Sequence, residues 1–157
     1  MASLHNIVLR GLNAIYLQAP HIQPADEKSF CAFIANWHSI LHLHHAAEEE
    51  DAFPLIEKMA GEKGIMEVNV EQHEAFQSGL GALEGYAAGC AAGKETYDGR
   101  KVVEIIDGFG AVLAEHLADE IPTIEGLRKY GAEKMAGLKG ILQAEADRNM
   151  VSCFWEE

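Results

Sequence analysis

Residues 37–54 read WHSILHLHHAAEEEDAFP, a stretch that combines one apolar stripe with pairs of histidine and glutamate. Trp37 and Leu41 recur at a helical spacing, which predicts an amphipathic helix. His44 and Glu48 continue the stripe and are four residues apart, so both side chains should lie on the inward face, one turn from each other. This stretch therefore predicts a helix that carries polar ligands into a core.

The same periodicity runs through most of the chain, and no alternating pattern typical of a strand is convincing. We predict helices at about residues 3–18, 25–54, 66–92 and 102–120, and a weaker helical region after them. Pro54 and Pro122 should each end or bend a helix, because proline removes a backbone hydrogen bond. The expected fold is all-α: a single domain over residues 1–157 with an up-down-up-down four-helix bundle at about 3–128 and a C-terminal helical extension at about 129–157.

Composition limits the partners of the chain. The 157 residues are 48% hydrophobic and 24% charged, and the net charge is −13. A negative field of this size disfavours nucleic acid and membrane surfaces and attracts cations. Cys31, Cys90 and Cys153 are widely spaced with no CxxC motif, which predicts reduced thiols and a cytoplasmic location.

Each of the four main helices has a histidine on its predicted core stripe, and two helices add a glutamate one turn later. These residues are His5, His44, Glu48, His73, His116 and Glu120. A single core histidine is usually a structural residue, and a single HxxxE pair is usually a surface ion pair. Their conjunction on four inward faces favours a metal site instead. Imidazole and carboxylate ligands suit iron, manganese or zinc, and this number of ligands suits two ions.

A second pair, His45 and Glu49, is rotated by about 100° from the first. Because Leu55 aligns with His44 and Glu48, we expect His45 and Glu49 at the edge of the helix, as outer or solvated residues. His38 and His42 share that flank. We assign neither of them a ligand role.

Glycine recurs every fourth residue late in the third helix, at Gly81, Gly85, Gly89 and Gly93. We favour a thin helix end that packs closely on a neighbouring helix. The alternative is a mobile gate near the site.

With these residues in view, the chain resembles the hemerythrin-like family of HHE cation-binding domains. The resemblance covers about residues 4–128 and is carried by HNIVLRGLN, HHAAEEEDAFP, VEQHEAF and HLADEIP. It implies a four-helix bundle around two non-haem iron ions with an oxo or hydroxo bridge, for which manganese or zinc could substitute. By resemblance, His5 and His44 would bind one iron and His73 and His116 the other. Glu48 and Glu120 would bridge them.

Gln77 departs from the oxygen-carrying members of the family, which have HxxxH in the third helix. The fourth helix also has HxxxE in place of HxxxxD. We expect Gln77 near the second iron, as a weak ligand or through a water, so that both ions keep open positions. Three functions follow as hypotheses: binding of O2 or a related small ligand, oxidation of a small organic substrate or peroxide by an oxidase or oxygenase, and iron handling or storage.

Overall fold

The computed structural model describes the backbone of residues 2–154 and the side chains of residues 2–144, 146 and 147. Its α-helices are α1 (Ala2–Gln18), α2 (Glu27–Ala47), α3 (Phe53–Ala60), α4 (Glu67–Ala91), α5 (Gly99–Asp107), α6 (Gly110–Gly126) and α7 (Leu138–Phe154). Short 3₁₀ helices span Ala19–His21 and Leu127–Tyr130, and a π-helical turn spans Glu48–Ala52. No strand occurs between residues 2 and 154, which confirms the all-α prediction.

The bundle consists of α1, α2, α4 and the α5–α6 pair around one apolar core. Its fully buried members come from every one of these helices: Val8, Ile15, Ile34, Leu41, Leu83, Val102 and Leu113. Trp37 ties α2 to α1, since its indole Nε1 donates a hydrogen bond of 2.9 Å to the carbonyl oxygen of Val8. The structure is thus an all-α helical bundle.

A second apolar cluster lies beyond the end of α2, where α3, α4 and the C-terminal region meet. Its buried members are Ala52, Phe53, Ile56, Met66 and Leu127, and Leu138 and Ile141 of α7 pack against them. Helix α7 also lies along α2 and the π-helical turn. Because Ala52 and Phe53 belong to this cluster, it packs against the chain directly after Glu48.

Pro54 does not end the helical segment that begins with α2. After α2 the chain forms the π-helical turn at Glu48–Ala52, in which Phe53 N–H donates to the carbonyl oxygen of Glu48, and it then continues as α3. Because this turn shifts the register, Ile56 is buried and Leu55 is 45% exposed. The expectation that Leu55 aligns with the inward stripe was therefore wrong.

The fourth helix is also interrupted, at Gly108 and Phe109, so the predicted continuous stripe is two helices, α5 and α6. The shift in register turns Val112 outward, where it is 39% exposed. Pro122 lies inside α6 and does not end it. Its ring is exposed to solvent, where water can satisfy the backbone carbonyl that the proline leaves unpaired.

The glycine row of α4 is not packed closely on a neighbour. A Cβ atom added at Gly81 or Gly85 would meet nothing within 4 Å, so the close-packing interpretation was wrong. The close approach is at Gly79, where an added Cβ would lie 2.6 Å from Cβ of Phe109. Among the described residues, no helix has the length and apolarity that a membrane span requires.

Candidate metal centre

Four side chains from α1, the end of α2 and α6 form the first group of candidate ligands: His5, His44, Glu48 and Glu120. Their ligand atoms all lie within 4.8 Å of one another, and all four residues are buried. Nε2 of His5 lies 3.2 Å from Nε2 of His44 and 3.1 Å from Oε2 of Glu120. Oε1 of Glu120 is buried, and no described residue forms a hydrogen bond with it. Such a set of nitrogen and carboxylate atoms is suited to one cation.

Three imidazoles from α2, α4 and α6 form the second group: His45, His73 and His116. Nε2 of His73 lies 3.0 Å from Nε2 of His116. The ring of His45 stacks on that of His73 with their centroids 4.0 Å apart. Nε2 of His45 is buried and has no hydrogen-bond partner among the side chains that the structure describes.

The carboxylate of Glu48 joins the two groups. Its Oε1 lies 3.3 Å from Nε2 of His44 in the first group, and its Oε2 lies 3.6 Å from Nε2 of His73 in the second. The π-helical turn begins at this residue, and turns of this kind often occur at functional sites. One carboxylate therefore contacts both groups, which is the arrangement that a bridging ligand needs.

The outer ring nitrogens of three histidines are held by hydrogen-bond acceptors. Nδ1 of His5 donates to the carbonyl oxygen of Leu117 (2.9 Å). Nδ1 of His73 donates to Oε1 of Glu49 (2.6 Å), and Nδ1 of His116 donates to Oε1 of Gln72 (3.0 Å). A neutral ring that donates from Nδ1 presents a lone pair at Nε2, as metal-binding histidines do. The lone pairs of His73 and His116 then face each other and repel, and a cation between them would relieve this repulsion. The residues present thus fit a metal.

The protonation states also suit a metal. Burial lowers the pKa of His116 to about 4, and the nearby ring of His73 adds to this effect. Burial likewise lowers the pKa of His45 and of His73. For Glu120, burial raises the pKa, but the neighbouring imidazoles of His5, His44 and His116 lower it overall. At neutral pH, these groups are neutral imidazoles and an ionised carboxylate, the forms that bind metals.

From the sequence we had expected His45 at the edge of α2, but the structure buries it. It is only 8% exposed, because the inward stripe of α2 is wide enough to include two adjacent residues, His44 and His45. Glu49 does lie at the edge, with its side chain 42% exposed, and it reaches inward to His73.

Gln77 is exposed, because the buried face of α4 runs from His73 through Phe76 and Leu80. It lines the same cavity as His45 and His73, so the expectation that it lies near the second ion, as a weak ligand or through a water, stays a prediction. Gln72, which holds His116, was not foreseen. No local signal in the sequence indicates it, since its partner lies 44 residues away on another helix.

A cavity of about 420 Å³ opens beside the second group, between α2 and α4. His45, His73 and Phe76 form its buried wall. Its other lining residues are His38, His42, Ala46, Glu49, Glu50, Gln77, Leu80 and Gly81. The cavity therefore reaches two of the candidate ligands, His45 and His73, from one side of the bundle.

Comparison with known proteins agrees with this geometry. The family model of the hemerythrin HHE cation-binding domain matches residues 1–123. The dimeric xanthone biosynthesis cluster protein R11 of Cryptosporiopsis sp. (strain 8999) is 33% identical over 136 residues, which are 86% of this chain and 51% of that relative. The chain thus spans about half the length of the curated relative, and no solved structure matches it. The chain belongs to the family of hemerythrin HHE cation-binding domains.

Proposed function

We propose that the chain is a non-haem di-iron protein that binds O2 or a related small ligand at its histidine and glutamate centre. The observation that carries this proposal is the pair of buried ligand groups joined by the carboxylate of Glu48. Two groups with one shared carboxylate suit two ions better than one. Membership of a cation-binding family supports the same conclusion.

In this proposal, His5, His44 and Glu120 hold one iron, and His45, His73 and His116 hold the other. Glu48 contacts both. Iron bound in this way would supply redox chemistry and an open coordination position for a small ligand. The donor groups contain only nitrogen and oxygen, which suits iron and also admits manganese or zinc.

The protein residues around the centre have separate tasks. Three acceptors orient the histidine rings through hydrogen bonds from Nδ1–H. They are Glu49 for His73, Gln72 for His116 and the Leu117 carbonyl for His5. Phe76 is buried against the rings of His45, His73 and His116, where it excludes water from one side. The imidazoles are therefore oriented before any ligand arrives, which lowers the entropic cost of binding.

The test is anaerobic reconstitution with ferrous iron, followed by removal of loose iron and a metal count. We expect two irons per chain in the wild type and a loss of the dinuclear centre in Glu48→Ala. His21→Ala removes an exposed imidazole of the first 3₁₀ helix and should keep both irons. A wild type that retains one iron or fewer would contradict the dinuclear proposal.

A second candidate function is oxidation of a small organic substrate, and the cavity beside His45 and His73 favours it. Its volume of about 420 Å³ exceeds what a diatomic ligand needs and falls within the range of small-molecule pockets. The name of the relative from Cryptosporiopsis also places that protein in a biosynthesis cluster.

Exposure of the reduced, iron-loaded protein to air separates the candidates. A long-lived optical change indicates ligand binding, whereas O2 consumption that depends on an added substrate indicates an oxidase or oxygenase. Growth of iron beyond two per chain indicates storage.

A further inference from the structure

His38 and His42 form a pair of imidazoles outside both ligand groups. They lie one turn apart on α2, with their ring planes 4° from parallel and their centroids 6.1 Å apart. His42 is exposed and His38 is half-buried. Two histidines at this helical spacing can coordinate one divalent ion together, as they do in helical zinc motifs. The proposed function uses neither of them.

The cavity connects this pair to the buried centre. His38 and His42 line the same space as His45 and His73 of the second group. His45 is more than nine-tenths buried, and its Nε2 has no hydrogen-bond partner. A cation bound by His38 and His42 could therefore move through the cavity to the imidazole of His45.

Charge and protonation at the mouth also suit a cation. The carboxylates of Glu49 and Glu50 line the cavity, and the carboxylate of Glu84 acts electrostatically on His38. Burial lowers the pKa of His38, so its ring is neutral at neutral pH and its lone pair is available. The net charge of −13 draws cations toward the whole surface, and this pair supplies nitrogen ligands at the entrance.

We propose that His38 and His42 form an acquisition site for ferrous iron, which captures the aquated ion at the surface and passes it through the cavity to His45 and the centre. This inference rests on the proposed function, because it needs a centre that binds iron. It predicts an effect on the rate of loading and none on the final iron content.

The test compares anaerobic iron uptake by the metal-free wild type and the double variant His38→Ala/His42→Ala at a limiting ferrous concentration. Samples are quenched with a chelator that removes loosely held iron, and the retained iron is counted against time. We expect the double variant to load about tenfold more slowly and to reach the same two irons per chain. His21→Ala is the control, since it removes an exposed imidazole that is not part of the cavity lining. It should load at the wild-type rate.

A second measurement is calorimetric titration of the iron-loaded protein with zinc. We expect the wild type to have one additional weak site that the double variant lacks. Equal loading rates in wild type and double variant, or the same zinc site in both, would overturn the proposal while leaving the iron centre intact. A double variant with a lower final iron content would also overturn it, because the pair would then support the centre. A wild type that takes up no iron would overturn this inference and the proposed function together.

Discussion

At the scale of single residues, two imidazoles of the second ligand group have one ring nitrogen held by a hydrogen-bond acceptor. His73 donates from Nδ1 to Glu49, and His116 donates from Nδ1 to Gln72, so each can offer only Nε2 to an ion. The ring of His45 stacks on that of His73. The second ligand group therefore contains two imidazoles oriented by hydrogen bonds at Nδ1 and a third that stacks on one of them.

His45→Ala tests whether this third imidazole is a ligand. We expect the retained iron to fall from two per chain to about one, because the second ion would lose one of its three nitrogens. The measurement is the metal count after anaerobic reconstitution and desalting. His42→Ala, three residues earlier on the same helix, should still reach two irons at equilibrium. An unchanged count in His45→Ala would mean that its ring only packs against the other ligands.

Glu49→Gln tests the hydrogen bond to His73. The substitution keeps an acceptor oxygen but removes the negative charge that strengthens the bond to Nδ1. We expect affinity for the second iron to fall by roughly 10–100-fold, as is usual when an outer partner of a metal-binding histidine is changed. Competition with a graded series of chelators measures this affinity. Glu71→Gln removes an exposed carboxylate from α4 and should leave it unchanged.

At the scale of elements, interruptions in the helices determine which residues face inward. The π-helical turn at Glu48–Ala52 buries Glu48 and Ala52 and leaves the residues between them on the outside. The break at Gly108 and Phe109 separates α5 from α6, the helix that carries His116 and Glu120. Each interruption resets the register, so α6 presents its ligands independently of the stripe on α5.

The glycines of α4 provide a matched pair of substitutions on one helix. Gly85→Ala adds a methyl group in open space, so it should stabilise the protein by about 0.5–1 kcal/mol through helix propensity. Gly79→Ala should destabilise it, because the new Cβ would lie 2.6 Å from Cβ of Phe109. Urea denaturation of the metal-free proteins measures both changes. A destabilising effect at Gly85 would mean that the glycine row needs its flexibility.

At the scale of the whole molecule, the buried imidazoles make the stability of the metal-free protein depend on pH. Burial lowers the pKa of His116 from an ordinary value of 6.5 to about 4 in the folded state. Below pH 6.5, the unfolded chain therefore binds a proton that the folded chain does not. The free energy of unfolding is therefore highest above pH 6.5 and decreases as the pH falls toward 4. The pKa shift of His116 accounts for up to about 3 kcal/mol of this decrease.

We expect the Tm of the metal-free protein to fall between pH 7 and pH 5, as measured by circular dichroism at several pH values. His116→Gln removes the titrating group and should give a shallower fall. Bound iron should raise the Tm at pH 7, because the metal binds the folded state only. A Tm of the metal-free protein that rises on acidification would contradict the direction of the pKa shift.

The sequence by itself determined the helices and the inward stripes that carry His5, His44, His73 and His116. These features depend on residues three or four apart, and the helical repeat alone places such residues on one face. In the same way, the HxxxE spacing places Glu48 and Glu120 on the inward faces that carry His44 and His116.

Only the tertiary structure decided which further residues lie beside these candidate ligands. His45 is buried among them because α4 and α6 pack over a wide face of α2, and Gln77 lies outside the buried face of α4 because Phe76 and Leu80 take the inward positions. Gln72 meets His116 from a distant part of the chain. The physical reason is that burial depends on how neighbouring helices pack and on where a π-helical turn or a break resets the register, and local periodicity contains neither.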